Sequence, residues 1–214
     1  MSETISHQGR RIAVQGREIR EAAYRSLCAA GADPLEAEEG SSAVLRAEAE
    51  AGAGLRLLEE LLDADWAAPA GPAVVTDAPW AGGILRTYDG GGQPPLRTAL
   101  QVLDLVRDAP RGAASVVLSL GNTVPDFLWN DLVSRRCAEW GNRIVVAAAD
   151  TPQVPPQVDT ALGPQAGAGT VIASLPEPVG DFQPAKATPK SLGMYEEEWQ
   201  RMYQLSRSYL VPDA

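Results

Sequence analysis

The chain has 214 residues, of which 45% are hydrophobic, so it is long enough to bury one core with a small helical annex. Acidic residues (28) exceed basic residues (18) and give a formal charge of −10, which argues against nucleic acid or an anionic membrane as a partner. No apolar run approaches the roughly 20 residues that span a bilayer. Because the first residues also lack a hydrophobic signal segment, we expect a cytoplasmic protein.

The cysteines and the N-terminal arginines are interpreted as structural features. Cys28 and Cys137 lie far apart in helical patterns beside apolar residues, where a free cysteine acts as a small hydrophobe. We therefore expect neither a disulfide nor a metal site. Short basic arms are usually solvated, and we interpret this one in the same way. It contains Arg10, Arg11, Arg17 and Arg20.

The first third of the chain is predicted to be helical. After a short strand at 12–14, a helix at 17–30 places its apolar residues on one face and ends at a glycine. The sequence DPLE then combines a capping box with proline at the first helical position, which predicts a second helix over 33–49. A glycine-containing break separates it from a leucine-rich helix at 55–62.

Beyond residue 73 the pattern alternates between strands and helices. The predicted elements are strands at 73–76 and 84–89, a helix at 96–109, a strand at 115–120, a helix at 123–140 opened by a T-x-x-D capping box, strands at 143–149 and 170–175, and a helix at 195–208. A series of strand, helix, strand, helix and strand is typical of an α/β layer with parallel neighbours.

The predicted fold class is therefore α/β, with a helical N-terminal segment followed by an α/β layer that has a mostly parallel or mixed sheet. We expect a flexible arm over 1–16 and a helical segment over 17–66. The remaining residues, 67–214, are expected to form an α/β domain packed with the helical segment as one unit.

Four stretches of the chain carry the patterns of one known family. They are GREIREAAYRSLCAAGADPLEAEEGSSAVLRAEAEAGAGLRLLEELL, TYDGGGQPPLRTALQVLDLVRDA, SVVLSLGNTVPDFLWNDLVSRRCAEWGNRIVVAAADTP and SLGMYEEEWQRMYQLSRSYLVP. In this order they resemble the type-2 malate/L-lactate dehydrogenase family, whose members reduce 2-oxo acids with NAD or NADP on a fold unlike the Rossmann dehydrogenases. The resemblance implies that this chain has the fold of the type-2 family and forms a homodimer.

The chain departs from this family where its chemistry resides. The family's SHG motif holds a catalytic histidine, but this chain has AGAG at 51–54, so the histidine position falls near Ala53. A second histidine is replaced by LGNTVPD, and much of the dinucleotide-binding insert is missing. The single histidine of the chain is His7, in the polar N-terminal arm. Because hydride transfer to a 2-oxo acid needs a proton carrier, we expect no redox chemistry and no cofactor. The resemblance leaves binding of NAD or NADP open as the alternative. The chain looks closer to short bacterial relatives that lack this histidine than to a working dehydrogenase.

Five residues are predicted to bind a ligand. They are Arg56, Asn122, Thr123, Gly163 and Gly167. Asn122 and Thr123 follow an apolar strand and precede a helix, where ligands of α/β folds commonly bind. Helix capping is the alternative for Thr123. The two glycines belong to a glycine-rich stretch that the family places near its cofactor cleft, although loop geometry alone explains such glycines.

Arg56 follows the missing histidine position and could hold a carboxylate in a bidentate fork. The alternative is a surface arginine paired with Glu59 or Glu60. If all five candidates converge, they form one cleft that suits a carboxylate. The glycines at 90–92 precede a helix and could bind phosphate, but a turn is the preferred interpretation.

These observations predict a non-redox, dehydrogenase-like protein that binds a small polar or carboxylate metabolite, or that acts as a regulatory or partner subunit. The alternative is a rewired enzyme of the same fold that acts on a small carboxylate and transfers protons through Asp or Tyr residues such as Tyr88. A homodimer is expected, because the leucines at 55–62 and the exposed-looking Trp66 and Trp80 suggest an apolar face that needs cover.

Overall fold

The computed structural model describes residues 9–66, 73–80, 83–107, 114–120, 124–148, 169–178 and 189–210. It divides the chain into two compact units. The helical unit consists of Met1–Asp63 and Ala187–Ala214, and the sheet unit consists of Ala64–Lys186.

The elements follow one another in the order that the sequence patterns indicate, with one strand added. They are β1 (Arg11–Gln15), α1 (Gly16–Ala30), α2 (Pro34–Ala51), α3 (Gly54–Leu62), β2 (Val74–Trp80), β3 (Gly83–Asp89), α4 (Pro95–Arg107), β4 (Ala114–Leu120), α5 (Asp126–Trp140), β5 (Asn142–Ala148), β6 (Gly169–Pro178), β7 (Ser191–Tyr195), α6 (Glu196–Arg207) and a 3-10 turn (Ser208–Leu210).

The predicted capping box at the start of α2 is confirmed. Asp33 Oδ1 accepts hydrogen bonds from the backbone amides of Leu35 at 2.8 Å and Glu36 at 2.9 Å. The Glu36 carboxylate in turn accepts from the Asp33 amide at 2.9 Å. The first amides of a helix have no partner within the helix. Here the side chains of the capping box satisfy the amides of Leu35 and Glu36 and also that of Asp33 itself.

The core of the helical unit is formed by the inner faces of its helices. Apolar residues three or four positions apart share a helix face, which explains the buried stripe of each helix. Fully buried members are Ile19, Ala23 and Leu27 of α1, Val44 and Ala47 of α2, Leu58 and Leu61 of α3, and Met202 of α6. The leucine-rich face of α3 is therefore covered within the chain.

The helical unit also corrects the predicted limits of the N-terminal arm and of the α/β domain. Residues 11–15 fall within the predicted flexible arm, but they form β1, which contains the short strand predicted at 12–14 and pairs antiparallel with β7. The C-terminal segment was assigned to the α/β domain, whereas it clusters with the N-terminal helices. The reason is non-local, because the β1–β7 ladder and the packing of α6 on α1 join the two ends of the chain.

The sheet unit contains a five-stranded mixed sheet in the order β2-β3-β4-β6-β5. Among these strands, only β3 and β4 are parallel neighbours, and the other pairings are antiparallel. The prediction of parallel neighbouring strands is therefore confirmed for the β3–β4 pair. Strands β4 and β5 run in the same direction, but β6 lies between them and is antiparallel to both. Apolar strand sequences do not specify which neighbour they pair with, so the sequence pattern missed this insertion.

Helix α5 begins later than the T-x-x-D pattern predicts. Its first residue is Asp126, its N-cap is Pro125, and no side chain caps it. The predicted capping box is therefore wrong, and Thr123 itself lies outside the described residues. The physical reason is Pro125, because the residue before a proline is disfavoured in the helical conformation, which places Val124 before the helix.

The described ranges contain neither a membrane-spanning helix nor a cluster of metal ligands. No helix within them is long and apolar enough to cross a membrane. No cluster of three or more His, Cys, Asp or Glu side chains in those ranges could hold a metal ion. Cys28 and Cys137 are free thiols, and Cys137 Sγ accepts a hydrogen bond from the Ile144 amide at 3.3 Å.

Candidate functional site

Of the five predicted ligand residues, the structure describes Arg56. Its side chain is 76% exposed and forms an ion pair with Glu60 at 3.5 Å along α3. This is the surface pair that the sequence left as the alternative, and exposed pairs of this kind contribute about 0.3–0.5 kcal/mol. Glu59, the other predicted partner, instead pairs with Arg201 at 3.1 Å. The remaining four candidates lie outside the described residues: Asn122, Thr123, Gly163 and Gly167.

The glycine turn between β3 and α4 satisfies its own amides. Asp89 Oδ1 accepts a hydrogen bond from the Gly91 amide at 2.9 Å, and the Gly90 carbonyl accepts from the Gln93 amide at 3.1 Å. Gly91 and Gly92 have φ values of 58° and 84°, a region that favours glycine. The turn interpretation explains these glycines, because two of the amides that a phosphate would need are already bonded.

Tyr88, the residue named for proton transfer in the rewired enzyme, is enclosed by the sheet unit. Only 1% of its surface is exposed, and its hydroxyl lies 2.5 Å from Gln101 Oε1 and 3.1 Å from Gln93 Oε1. Burial raises the pKa of Tyr88, a hydrogen bond with Thr98 lowers it, Asp89 raises it and Arg97 lowers it. The hydroxyl therefore stays protonated at neutral pH and is already hydrogen-bonded inside the sheet unit.

Ser119 lies at the end of β4, just before the predicted Asn122 site. It is the register partner of Tyr88 across the parallel β3–β4 pair, so the two side chains share one face of the sheet. Ser119 is 4% exposed, and its buried hydroxyl has no hydrogen-bond partner among the residues that the structure describes. This places a polar group near the carboxyl end of the parallel pair, where α/β sheets often bind ligands.

A cavity lined by charged side chains lies in the helical unit. This cavity, the cationic cleft, has a volume of about 600 Å³. Its lining contains more cations than carboxylates, although the whole chain carries a charge of −10. The lining residues are Gln15, Gly16, Arg17, Arg20, Glu21, Tyr24, Glu38, Leu45, Pro189 and Lys190.

Helix α1 provides one wall of the cationic cleft. The spacing of Arg17, Arg20, Glu21 and Tyr24 places them on one face of the helix, separate from its buried apolar stripe. The first turn is closed by a capping box, in which the Gln15 amide donates to the Glu18 carboxylate at 2.9 Å. Helix capping thus orients the cationic face.

Gly16 brings the distant Lys190 to this wall. The Gly16 amide donates to the Lys190 carbonyl at 3.0 Å. A Cβ atom at Gly16 would approach the Pro189 carbonyl oxygen to 3.2 Å and a Leu45 methyl to 3.4 Å, which is tighter than ordinary contact. Glycine therefore allows the close approach of α1 to the segment that carries Lys190.

Ion pairing distinguishes the cations of the cleft from one another. Arg20 is paired with Glu38, and Glu21 is paired with Arg25 at 2.7 Å. Both lining carboxylates thus have a partner. Within the described part of the chain, the side chains of Arg17 and Lys190 form no ion pair or hydrogen bond. These two cations remain for an anionic guest.

Tyr24 adds a neutral hydroxyl to the cleft. A hydrogen bond with Cys28, one turn further along α1, is the largest cause that raises the pKa of Tyr24. The phenol is therefore protonated at neutral pH and can act as a hydrogen-bond donor. Among the described lining residues there is no histidine, serine or cysteine. The arrangement is suited to holding an anion.

The sequence analysis did not identify this cleft. The N-terminal arginines were interpreted as a solvated arm, but Arg17 and Arg20 line the cavity, while Arg11 donates to the Gly193 carbonyl at 2.6 Å. The spacing of the polar residues on α1 was a usable signal, because they share one helix face. The contribution of Lys190 had no local signal, since it depends on the β1–β7 pairing.

Comparison with known proteins gives a distant structural likeness. No family model matches the chain, and neither does any curated protein. Malate dehydrogenase from Pyrococcus horikoshii OT3 is similar with a TM-score of 0.45 and 14% identity, over 64% of this chain and 39% of that one. Malate dehydrogenase from Entamoeba histolytica is similar with a TM-score of 0.44 and 15% identity, over 64% of this chain and 38% of that one. The chain thus spans about two fifths of these dehydrogenases. A likeness this weak assigns no residue role or activity to it.

Proposed function

We propose that the protein binds a small carboxylate-bearing metabolite in the cationic cleft and does not transfer hydride. The observation that carries this proposal is the pair of cations, Arg17 and Lys190, on a cavity of about 600 Å³ in an acidic chain. Cavities of about 300–1,000 Å³ are usual for small ligands. A local excess of positive charge in an acidic protein concentrates anionic ligands at that point.

The residues of the cleft suit a carboxylate in particular. The guanidinium of Arg17 can donate two parallel hydrogen bonds to a carboxylate, and Lys190 provides a second positive charge. The Tyr24 hydroxyl oxygen can accept a hydrogen bond from a hydroxyl beside that carboxylate. The ion pairs of Arg20 and Arg25 neutralise the neighbouring carboxylates, which would otherwise repel an anion.

The absence of hydride transfer is supported by the amino-acid sequence. Its single histidine, His7, lies in the N-terminal arm. Ala53, the residue at the histidine position implied by the resemblance, is the N-cap of α3 and has no group that titrates. The rewired-enzyme alternative is not favoured at Tyr88, because this side chain is 1% exposed and its hydroxyl is hydrogen-bonded inside the sheet unit, where a substrate would have to reach it.

Isothermal titration with malate, pyruvate and acetate tests the binding proposal. We expect a dicarboxylate to bind best and Arg17→Gln or Lys190→Gln to weaken binding by roughly tenfold, as hydrogen bonds to charged groups contribute about 1.5–3 kcal/mol before solvent screening. Binding should also weaken as salt increases. No binding by any of the three carboxylates would contradict the proposal.

Two arginine variants provide controls for the binding site. Arg207, at the end of α6, is exposed and does not line the cleft, so Arg207→Gln should bind like the wild type. Arg56→Gln tests the site predicted from the resemblance. If Arg56→Gln lost binding and Arg17→Gln kept it, the ligand would bind at Arg56, and the assignment to the cationic cleft would be wrong.

The homodimer is also a proposal, on a different basis from the one that the sequence suggested. Leu57, Leu58 and Leu61 of α3 are buried and Trp66 is 6% exposed, so these residues offer no apolar face to a partner. We propose that the edge strand β2 pairs with its copy in a second chain. Val74 and Val75 on this strand are 56% and 43% exposed, and an edge strand can pair with its own copy about a two-fold axis.

A further inference from the structure

A second cavity, the aromatic groove, runs along α1 and α6 beside the cationic cleft. Its volume is about 400 Å³. Arg17 and Glu21 line both cavities, so the two cavities are neighbours on α1. The complete lining of the groove is Arg17, Glu18, Glu21, Ala22, Arg25, Trp199, Tyr203 and Ser206.

The groove presents two aromatic rings that the core does not enclose. Tyr203 is 51% exposed and Trp199 is half-buried. Their ring centroids are 6.1 Å apart with an angle of 41° between the planes, so the rings form a tilted pair along α6. Exposed aromatic pairs of this kind offer a large contact area to a third ring at small entropic cost.

The charged residues of the groove leave one cation for a ligand. Glu18 accepts a hydrogen bond from the Gln15 amide at 2.9 Å, and Glu21 is paired with Arg25 at 2.7 Å. Ser206 donates to the Tyr203 carbonyl at 2.6 Å. Arg17 is thus the cation at the junction of an aromatic surface and the cationic cleft.

We infer that one ligand occupies both cavities, with a planar aromatic ring against Trp199 and Tyr203 and a pendant carboxylate at Arg17 and Lys190. This inference rests on the proposed function and narrows its substrate class from small carboxylates to aromatic carboxylates. The ring gains contact with the two aromatic side chains, whereas the carboxylate occupies the cationic end. A short aliphatic acid fills only the cleft.

The test compares three probes of similar shape by isothermal titration: 2-naphthoate, decahydronaphthalene-2-carboxylate and 2-naphthamide. The saturated acid keeps the charge and the size but lacks the aromatic face, and the amide keeps the ring but lacks the charge. We expect 2-naphthoate to bind roughly tenfold more tightly than either, since aromatic contacts contribute about 0.5–1.5 kcal/mol each and 1.4 kcal/mol is a factor of ten.

Variants locate the two ends of the ligand. Trp199→Leu should remove the advantage of 2-naphthoate over the saturated acid, and Trp199→Phe should retain most of it. Trp140→Leu is the matched control, because Trp140 is half-buried but belongs to α5 of the sheet unit. Arg17→Gln should weaken both carboxylates to a similar degree. Circular dichroism on each variant checks that the helices are intact.

The outcomes separate this inference from the proposed function. If both acids bind equally and both weaken in Arg17→Gln, the proposed function holds and the inference is wrong. If malate binds but neither bicyclic acid does, the inference is wrong and the proposed function holds; if malate does not bind either, both are wrong. An advantage of 2-naphthoate that survives Trp199→Leu would overturn the inference, as would 2-naphthamide binding as tightly as 2-naphthoate.

Discussion

Among single residues, Glu48 of α2 shows how burial makes stability depend on pH. Its surface is 7% exposed, and its carboxylate accepts a hydrogen bond from the Gly54 amide at 3.0 Å. Burial raises the pKa of Glu48, the Gly54 amide partly offsets this, Glu198 raises the pKa further and Arg11 lowers it. The charged form is therefore less favourable in the folded chain than in the unfolded chain.

This raised pKa predicts the direction of the pH dependence. The contribution of Glu48 to stability is fully present below its unfolded-state pKa, about 4.3, and is lost as the pH rises through the folded-state value. Glu48→Gln keeps an oxygen that accepts from Gly54 but cannot ionise. As the pH rises from acid to neutral, the urea midpoint of Glu48→Gln should fall less than the midpoint of the wild type. At neutral pH the midpoint of the variant should be at least as high as that of the wild type.

Glu50→Gln is the control for this measurement, because Glu50 lies on the same helix and is exposed. Its midpoint should follow the wild type across the pH range. If Glu48→Gln shows the same pH dependence as the wild type, then the ionisation of Glu48 does not contribute to the stability of the folded chain.

At the scale of elements, the junction of α2 and α3 contains two glycines with different physical requirements. Gly52 ends α2 with a φ of 60°, and a Cβ atom there would meet nothing within 4 Å. At Gly54, a Cβ atom would lie 2.8 Å from the Glu48 Cβ and 2.9 Å from the Val44 carbonyl oxygen. The first glycine is required by its backbone conformation and the second by the close packing of α3 on α2.

This difference predicts unequal effects of two alanine substitutions. Gly52→Ala should cost about 1–2 kcal/mol of unfolding free energy, the usual penalty of the left-handed conformation. Gly54→Ala should cost more, because overpacking costs about 1–3 kcal/mol and the atoms that it meets belong to the backbone or lie close to it. Urea denaturation of both variants measures the order. A larger loss in Gly52→Ala would show that α3 moves away from α2 at little cost.

At the scale of the whole molecule, the proposed function predicts no dehydrogenase activity. The chain carries a single histidine, at position 7, and Ala53 stands where the resemblance implies the catalytic one. We expect no oxidation of NADH or NADPH with pyruvate or oxaloacetate, measured by absorbance beside an active malate dehydrogenase. Steady turnover above about 1 s⁻¹, an ordinary enzyme rate, would contradict this prediction.

The proposed dimer predicts a mass of about twice the 22.6 kDa of one chain by light scattering. Val75→Glu should shift the protein to the monomer, because two like charges would face each other in a β2–β2 pair. Leu35→Glu is the matched control, since Leu35 is 68% exposed on α2 and lies outside the sheet. A wild-type mass of one chain at micromolar concentration would refute the dimer, and a dimer that persists in Val75→Glu would exclude β2 as its interface.

Much of the fold was predictable from the sequence because the signals are local. Apolar spacing located the helices, and the hydrogen bonds of Asp33 and Glu36 confirm the start of α2. Strands β3, β4 and β5 also lie within a few residues of their predicted positions. The exception at the start of α5 is local too, since Pro125 restricts the residue before it.

The neighbours of each element and the cavities were decided by the tertiary structure. Strand β6 lies between β4 and β5, and β7 pairs with β1 from the other end of the chain. That pairing brings Lys190 to the cationic face of α1, so the cleft that carries the proposed function joins residues far apart in sequence. Periodicity reports which side of an element is apolar, but pairing depends on competition among all strands and faces for the same partners, which no local pattern contains.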